Sequence, residues 1–197
     1  VYPCARASGP MIIDGVLDEP SWQRAPLVTG FAFYNQPELV DVQTFLRVIY
    51  DASCLYLGVT CEEPLMGKLT PVTHARDAHD VFQGETIEVF VDPAHDHGKY
   101  YQFAVNAAAS VYDSIRMDTT WNADVRAKVH LGPDGWVLEF ATPWKDLGVR
   151  PQPGAVLGFN VCRDRYLGQA REWTNWSQTN ANFHDPERFA HLLLSAT

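Results

Sequence analysis

From Gly84 to Asn106 apolar and polar side chains alternate, predicting two strands joined by an acidic, histidine-bearing turn. Ile87, Val89 and Val91 point one way, while Thr86, Glu88 and Phe90 point the other. In the second strand Tyr101, Phe103 and Val105 alternate with Tyr100, Gln102, Ala104 and Asn106. A period of two fits a half-buried antiparallel sheet, one face on the core and one free. The free face carries Glu88, Gln102 and Asn106 between aromatic rings, which suits a neutral, hydroxyl-rich ligand. For any one of these residues a solvated sheet face is the ordinary alternative.

Strands are also predicted over Gln43–Tyr50 and Leu55–Cys61, joined by Asp51-Ala52-Ser53, with Val28–Tyr34 a further candidate. Ser110–Met117 and Asp124–Leu131 follow, and the turn Gly132–Gly135 leads into the alternation of Trp136, Leu138 and Phe140. Ala155–Arg165 and Phe189–Ser195 complete the set. Helical signals are short. Asp18 can cap a turn begun by Pro20 and carrying Trp22 and Ala25, and Pro143–Gly148 reads as one turn with a glycine stop. The reading is all-β: an antiparallel β-sandwich or jelly roll of about ten strands with one or two short helical turns. A single domain is expected over residues 1–197.

The formal net charge of −9, with no run of lysine and arginine to offset it, argues against nucleic acid or an anionic membrane as partner. No apolar run approaches the ~20 residues that span a bilayer as a helix. A start at Val1 suggests a processed product or a piece of a larger protein. The four cysteines have no CxxC spacing, so a cysteine-zinc site is not supported. Cys61 and Cys162 fall in strands as buried thiols, whereas Cys4 and Cys54 could pair in an exported protein.

The stretch Glu62–Gly84 has prolines and histidines but no period, and leads through Phe82 into the central strand pair, so it is expected to wall a site. Trp22, Trp136 and Trp144 sit in packing contexts. Trp173 and Trp176 lie in a polar segment, where Trp173 could equally cover the core and Trp176, followed by Ser177, Gln178 and Thr179, is expected to be exposed. An exposed ring matches the C–H face of a pyranose, and nearby polar groups fix its orientation. A glycosidase needs two carboxyls about 5–9.5 Å apart. Glu85 and Glu88 point to opposite faces, and pairing Glu88 with Glu139 or Glu172 depends on the fold. No GxSxG motif is present. Asp92, His95, Asp96 and His97 crowd one turn, and Asp14, Asp18 and Glu19 another. Hard oxygen ligands there suit calcium, with a solvated acidic turn as the alternative; His95 and His97 alone do not make a zinc site.

Taken in order, Ile13–Glu19 followed by Trp22, Arg47–Asp51 leading into Leu55–Leu57, Thr86–Asp92, Gln102-Phe103 to Asn106, Gly158–Val161 and Asp185–Phe189 resemble family 9 carbohydrate-binding modules. The resemblance implies a non-catalytic β-sandwich that holds sugars between two tryptophan rings, classically at chain ends, with structural calcium. It also implies an extracellular or periplasmic protein, as one module among other domains of a larger glycan-active protein, binding an oligosaccharide or polysaccharide. By position Trp176 matches one ring and Phe82 falls where the other would lie; Glu88 matches a polar ligand. Ala104 stands where an arginine is usual, and Asn180 and Asn182 lie in a loop of further polar contacts. The expected sugar site is therefore Phe82, Glu88, Gln102, Asn106, Trp173, Trp176 and Asn180, with Asp92 and Asp96 as calcium ligands. Two other readings are a haem-binding electron-transfer domain on a related sandwich, using Met66, Met117, His74 or His79, and a structural spacer whose site has decayed, as Ala104 suggests.

Overall fold

In the computed structural model, which describes residues 1–196, β1 (Tyr2–Arg6) arises in a lead segment for which no strand is expected. Among the described residues the one α-helix, α1 (Pro20–Arg24), is five residues long and carries proline in its first turn, as the sequence predicts. Next come β2 (Ala32–Phe33), β3 (Thr44–Tyr50) and β4 (Cys54–Glu62), then β5 (Thr86–Asp92), β6 (Tyr101–Asn106) and β7 (Val111–Ile115). The second half supplies β8 (Arg126–Leu131), β9 (Gly135–Pro143), β10 (Val156–Arg165), β11 (Glu172–Asn175) and β12 (Ala190–Leu194). Short 3-10 turns occupy 66–68, 79–83 and 186–188. Residues 144–148 form a hydrogen-bonded turn rather than a helix, with Gly148 in the left-handed region at φ +70°. None of the described helices is long and apolar enough to cross a membrane.

The strand order is β7-β6-β5-β10-β12-β1-β3-β4-β9-β8, with β11 added to β10 and β2 to β11. All pairings are antiparallel except those of β1, which runs parallel to β12 through Tyr2–Cys4 and parallel to β3 through Ala5 and Arg6. This strand therefore passes from one sheet to the other and joins them along one edge. Between the sheets, Ile87, Val89, Val91, Phe103 and Val161 face Leu46, Val48, Leu57, Leu138 and Phe140 in one buried core. Phe103 meets Phe140 edge-on at 5.3 Å. All four cysteines are buried and free, so Cys4 and Cys54, which could have paired, do not; Cys4 lies in the main core and Cys54 in a separate cluster.

The opening segment covers the outer face of the second sheet. Trp22 is fully buried there with Ile49, Tyr56 and Ala141. Glu139 holds the segment in place, accepting from the backbone N–H groups of Asp14 (2.8 Å) and Gly15 (3.0 Å) and from Trp22 Nε1 (3.3 Å). Gly58 makes room for Leu17, whose Cδ2 would lie 2.7 Å from any added Cβ. The outer face of the first sheet is covered by loops instead, with Phe183, Phe189 and Tyr34 over Phe90 and Cys162, and the functional geometry develops between them.

Candidate functional site

Register across the first sheet brings polar groups together on its outer face. Glu88 on β5 lies between Cys162 of β10 and Ala104 of β6, while Asp164 of β10 lies between Thr86 and Trp173 of β11. Glu88 and Asp164 are thus diagonal neighbours on adjacent strands, both buried at the floor of a cleft of about 330 Å³. Its walls come from Phe82, Tyr166, Trp173 and Tyr34, and from Asn182, Phe183 and His184 of the loop before β12.

Each wall is held by identifiable contacts. Phe82 projects from the 3-10 turn His79–Gln83 and packs at 4.9 Å against Tyr112 and 5.6 Å against His79. The Tyr166 hydroxyl donates to the Phe82 carbonyl at 2.8 Å. Tyr34 continues the pairing of β2 with β11, its N–H donating to the Trp173 carbonyl at 3.1 Å. The Tyr34 ring meets Phe183 edge-on at 6.1 Å. Burial lowers the His184 pKa, which favours a neutral ring able to accept from the Tyr100 hydroxyl at 2.9 Å.

The loop that carries Phe82 is closed at its base by a buried ion network. Arg163, on the core face of β10, reaches Glu63 at 3.3 Å and Glu85 at 3.0 Å, joining the two ends of the loop. Arg165 binds Glu63 through two nitrogens, at 2.6 and 2.9 Å. Arg76 within the loop pairs with Asp113 of β7. A long connection without a period of its own is thereby fixed over the sheet.

At the floor, a chain of hydrogen bonds runs from the Ser114 hydroxyl to Gln102 Oε1 (3.2 Å) and from Gln102 Nε2 to Glu88 Oε2 (2.6 Å). Burial pushes the Glu88 pKa up to about 7. Asp164 is raised well above its ordinary value too, first by burial and then by the charge of Glu88. The other carboxylates considered as partners are elsewhere: Glu139 holds Trp22, and Glu172 pairs with Arg165.

The predicted residues divide by geometry. Phe82, Glu88 and Trp173 line the cleft, and Gln102 reaches it through Glu88. Trp176 does not line it. Its ring is half-buried on the inner side of the sheet, edge-on to Tyr2 and Phe159 at 6.2 Å each, so the expected exposure and convergence with Phe82 are replaced by core packing. Alternation along β11 is the reason: Trp173 faces outward, and three residues on the side chain faces inward. Asn106 is spent on structure, accepting from Ala108 and Ser110 N–H and donating to the Val72 carbonyl at 2.9 Å. Asn180 is exposed and bonded to Asp185, outside the cleft; its neighbour Asn182 lines it.

Tyr34, Asp164, Tyr166 and His184 were missed. For Asp164 a signal existed, because alternation along β10 places it on the same face as Cys162, but only pairing shows that this face meets Glu88. At Ala104 the space an arginine would take is filled by Val81 and Tyr112, the cluster on which Phe82 rests. Met66, Met117, His74 and His79 do not line the cleft.

The Asp92–His97 turn does not gather the oxygen set expected of calcium. Asp96 is exposed and holds its own turn by accepting from Gly98 N–H at 2.9 Å. The ligating atoms that converge are one each from Asp92, His95 and His97, within 4.8 Å of one another. Two imidazoles and one carboxylate do not fit a cation that takes six to eight oxygens.

Against known proteins, a family model described as carbohydrate family 9 binding domain-like matches residues 13–197. Endo-1,4-beta-xylanase A of Thermotoga maritima is 27% identical over 196 residues, covering 94% of this chain. The chain spans only 17% of that enzyme's length. Among solved structures, a family 9 module from Caldicellulosiruptor kristjanssonii in complex with cellotriose has a TM-score of 0.72 at 18% identity, over 99% of this chain and 94% of that one. The same organism's module in complex with glucose gives 0.71 at 18%, over 99% and 96%. At these identities the likeness concerns the fold.

Proposed function

The chain belongs to the carbohydrate family 9 binding domain-like proteins, and from that premise we propose that its outer cleft binds a neutral sugar between Trp173 and Phe82. The observation that carries this is the pairing of two aromatic side chains from separate elements over one buried carboxyl pair. Trp173 is 40% exposed, a large apolar area that β11 presents to solvent beside acceptors. Stacking supplies area at low entropic cost, and Glu88, Asp164 and Tyr166 are placed to bond hydroxyls that leave water. Among the described residues no lysine or arginine lines the cleft, so an anionic sugar has no counter-charge from them there.

The reading is of a binding module without catalysis of its own, supported by the match to a binding-domain family and by the engagement of Glu139 with Trp22 and of Glu172 with Arg165. Family 9 neighbours hold cellotriose and glucose, which supports a β-glucan or its chain end as ligand. Match to a small part of xylanases supports a place among other domains of a glycan-active protein, acting outside the cell where such polymers lie. Calorimetric titration with glucose, cellotriose and xylotriose, each in reducing and reduced form, tests the proposal. Binding of one of them with one site per chain is expected. No binding by folded protein, or hydrolysis of any of them, overturns it.

A further inference from the structure

We propose that Asp92, His95 and His97 form a binding site for a divalent transition-metal ion of the zinc type, at the far end of β5 from the sugar cleft. The site stands apart from the sugar reading: Asp92 is four residues beyond Glu88, roughly 13 Å along the strand.

Hydrogen bonding leaves one free ligating atom on each residue. Asp92 is fully buried; its Oδ2 accepts from His97 N–H at 2.8 Å, while its Oδ1 has no partner. Leaving a buried carboxylate oxygen unpaired is costly, and a cation removes that cost. The His97 Nδ1 lies 2.8 Å from the Pro186 carbonyl, an obligate acceptor, so Nδ1 carries the proton and Nε2 keeps its lone pair. The His95 Nε2 contacts His191 Nδ1 at 2.6 Å, and its Nδ1 is buried without a partner. With Nε2–H donating to His191, the His95 Nδ1 lone pair is also free. In each ring one nitrogen is held by the protein and the other is open, the pattern that orients metal-ligating histidines.

Space is provided by register. Asp92, Gly158 and His191 stand side by side on β5, β10 and β12, and glycine leaves the middle of that row open. A Cβ at Gly158 would sit 3.0 Å from the Asp92 Cβ. His95 and His97 both adopt positive φ, 51° and 61°, and one ligating atom from each comes within 4.8 Å of one from Asp92. Two imidazoles and a carboxylate match zinc and its neighbours in the series, with solvent free to complete four-coordination. Metal–ligand bonds of about 2.0–2.1 Å require the ligands to draw closer than they stand, and the exposed His97 ring supplies that movement. A bound ion would fasten the turn after β5 to the end of that strand, while His191 of β12 holds the His95 ring from its other nitrogen.

Titration of the intact chain with Zn²⁺, and separately with Ca²⁺, tests this. One Zn²⁺ site is expected, with millimolar Ca²⁺ neither binding there nor displacing the ion. His97→Ala removes an exposed ring and leaves the core untouched; it is expected to weaken Zn²⁺ at least ~10-fold and to abolish the rise in melting temperature that saturating Zn²⁺ gives the parent. His130→Ala, on β8, is expected to behave as the parent. Absence of Zn²⁺ binding, equal affinity in His97→Ala, an equal loss in His130→Ala, or displacement by Ca²⁺ would each overturn the assignment.

Discussion

Trp173 and Trp176, three residues apart, lie on opposite sides of one sheet: the first ring lines the outer cleft and the second meets Tyr2 and Phe159 inside. The two indoles therefore have separable consequences. Trp173→Ala is expected to weaken sugar binding by at least about 2 kcal/mol, as for a central aromatic anchor, with little change in stability. Trp176→Ala is expected to lower stability by about 3 kcal/mol through the cavity it leaves. Calorimetry and urea denaturation on both variants distinguish the roles, and the opposite pattern would return Trp176 to the site.

The carboxyl pair makes stability depend on pH. Glu88 is raised from an ordinary 4.5 to about 7 by burial, and Asp164 is raised as well. The folded state then holds protons that the unfolded chain has released, so this contribution is complete below about pH 4.5 and is lost as pH rises through 7. Glu88→Gln is expected to flatten the fall in urea midpoint between pH 5 and pH 8. An unchanged slope would remove the pair as its source.

Arg163 closes the base of the loop that carries Phe82. Arg163→Met leaves Glu63 and Glu85 buried with part of their compensation gone, and breaking such a pair costs about 3–5 kcal/mol. Faster amide exchange across residues 62–84, together with weaker sugar binding, is expected. Loss of stability with the loop still protected would show that the network serves the core alone.

Ala104→Arg is expected to subtract rather than add a sugar contact. The residue is fully buried beneath Val81 and Tyr112, so a long side chain must displace the turn that seats Phe82. Overpacking of this kind costs about 1–3 kcal/mol, read by thermal denaturation. Tighter sugar binding in the variant would mean that the turn yields and the guanidinium reaches the cleft.

How legible the site was differs residue by residue. The side-chain alternation of Thr86–Asp92 and Tyr101–Asn106 placed Glu88 and Gln102 on one face, as observed. Phe82 was reached as part of an aperiodic loop leading to that face. Trp173 and Trp176 were hard to separate because β11 is four residues long and lies in polar sequence without a visible period. Asn106 reads as a ligand by type, but its amide is engaged by Val72, Ala108 and Ser110, contacts that no spacing rule reveals. Strand β1 was invisible for another reason: its five residues split their pairing between two sheets.

Local chemistry, which is written in every side chain, determined that this protein is built of strands, which residues of β5 and β6 share a face, and that it carries an acidic charge unsuited to polyanions. Pairing between distant strands decided the rest. Only register sets Asp164 beside Glu88, Trp173 in the cleft with Phe82, and His191 in line with Asp92 through Gly158. A period of two tells which side a residue faces; the partner it meets there depends on hydrogen bonds between segments as far apart as the two ends of the chain, whose energies no single stretch contains.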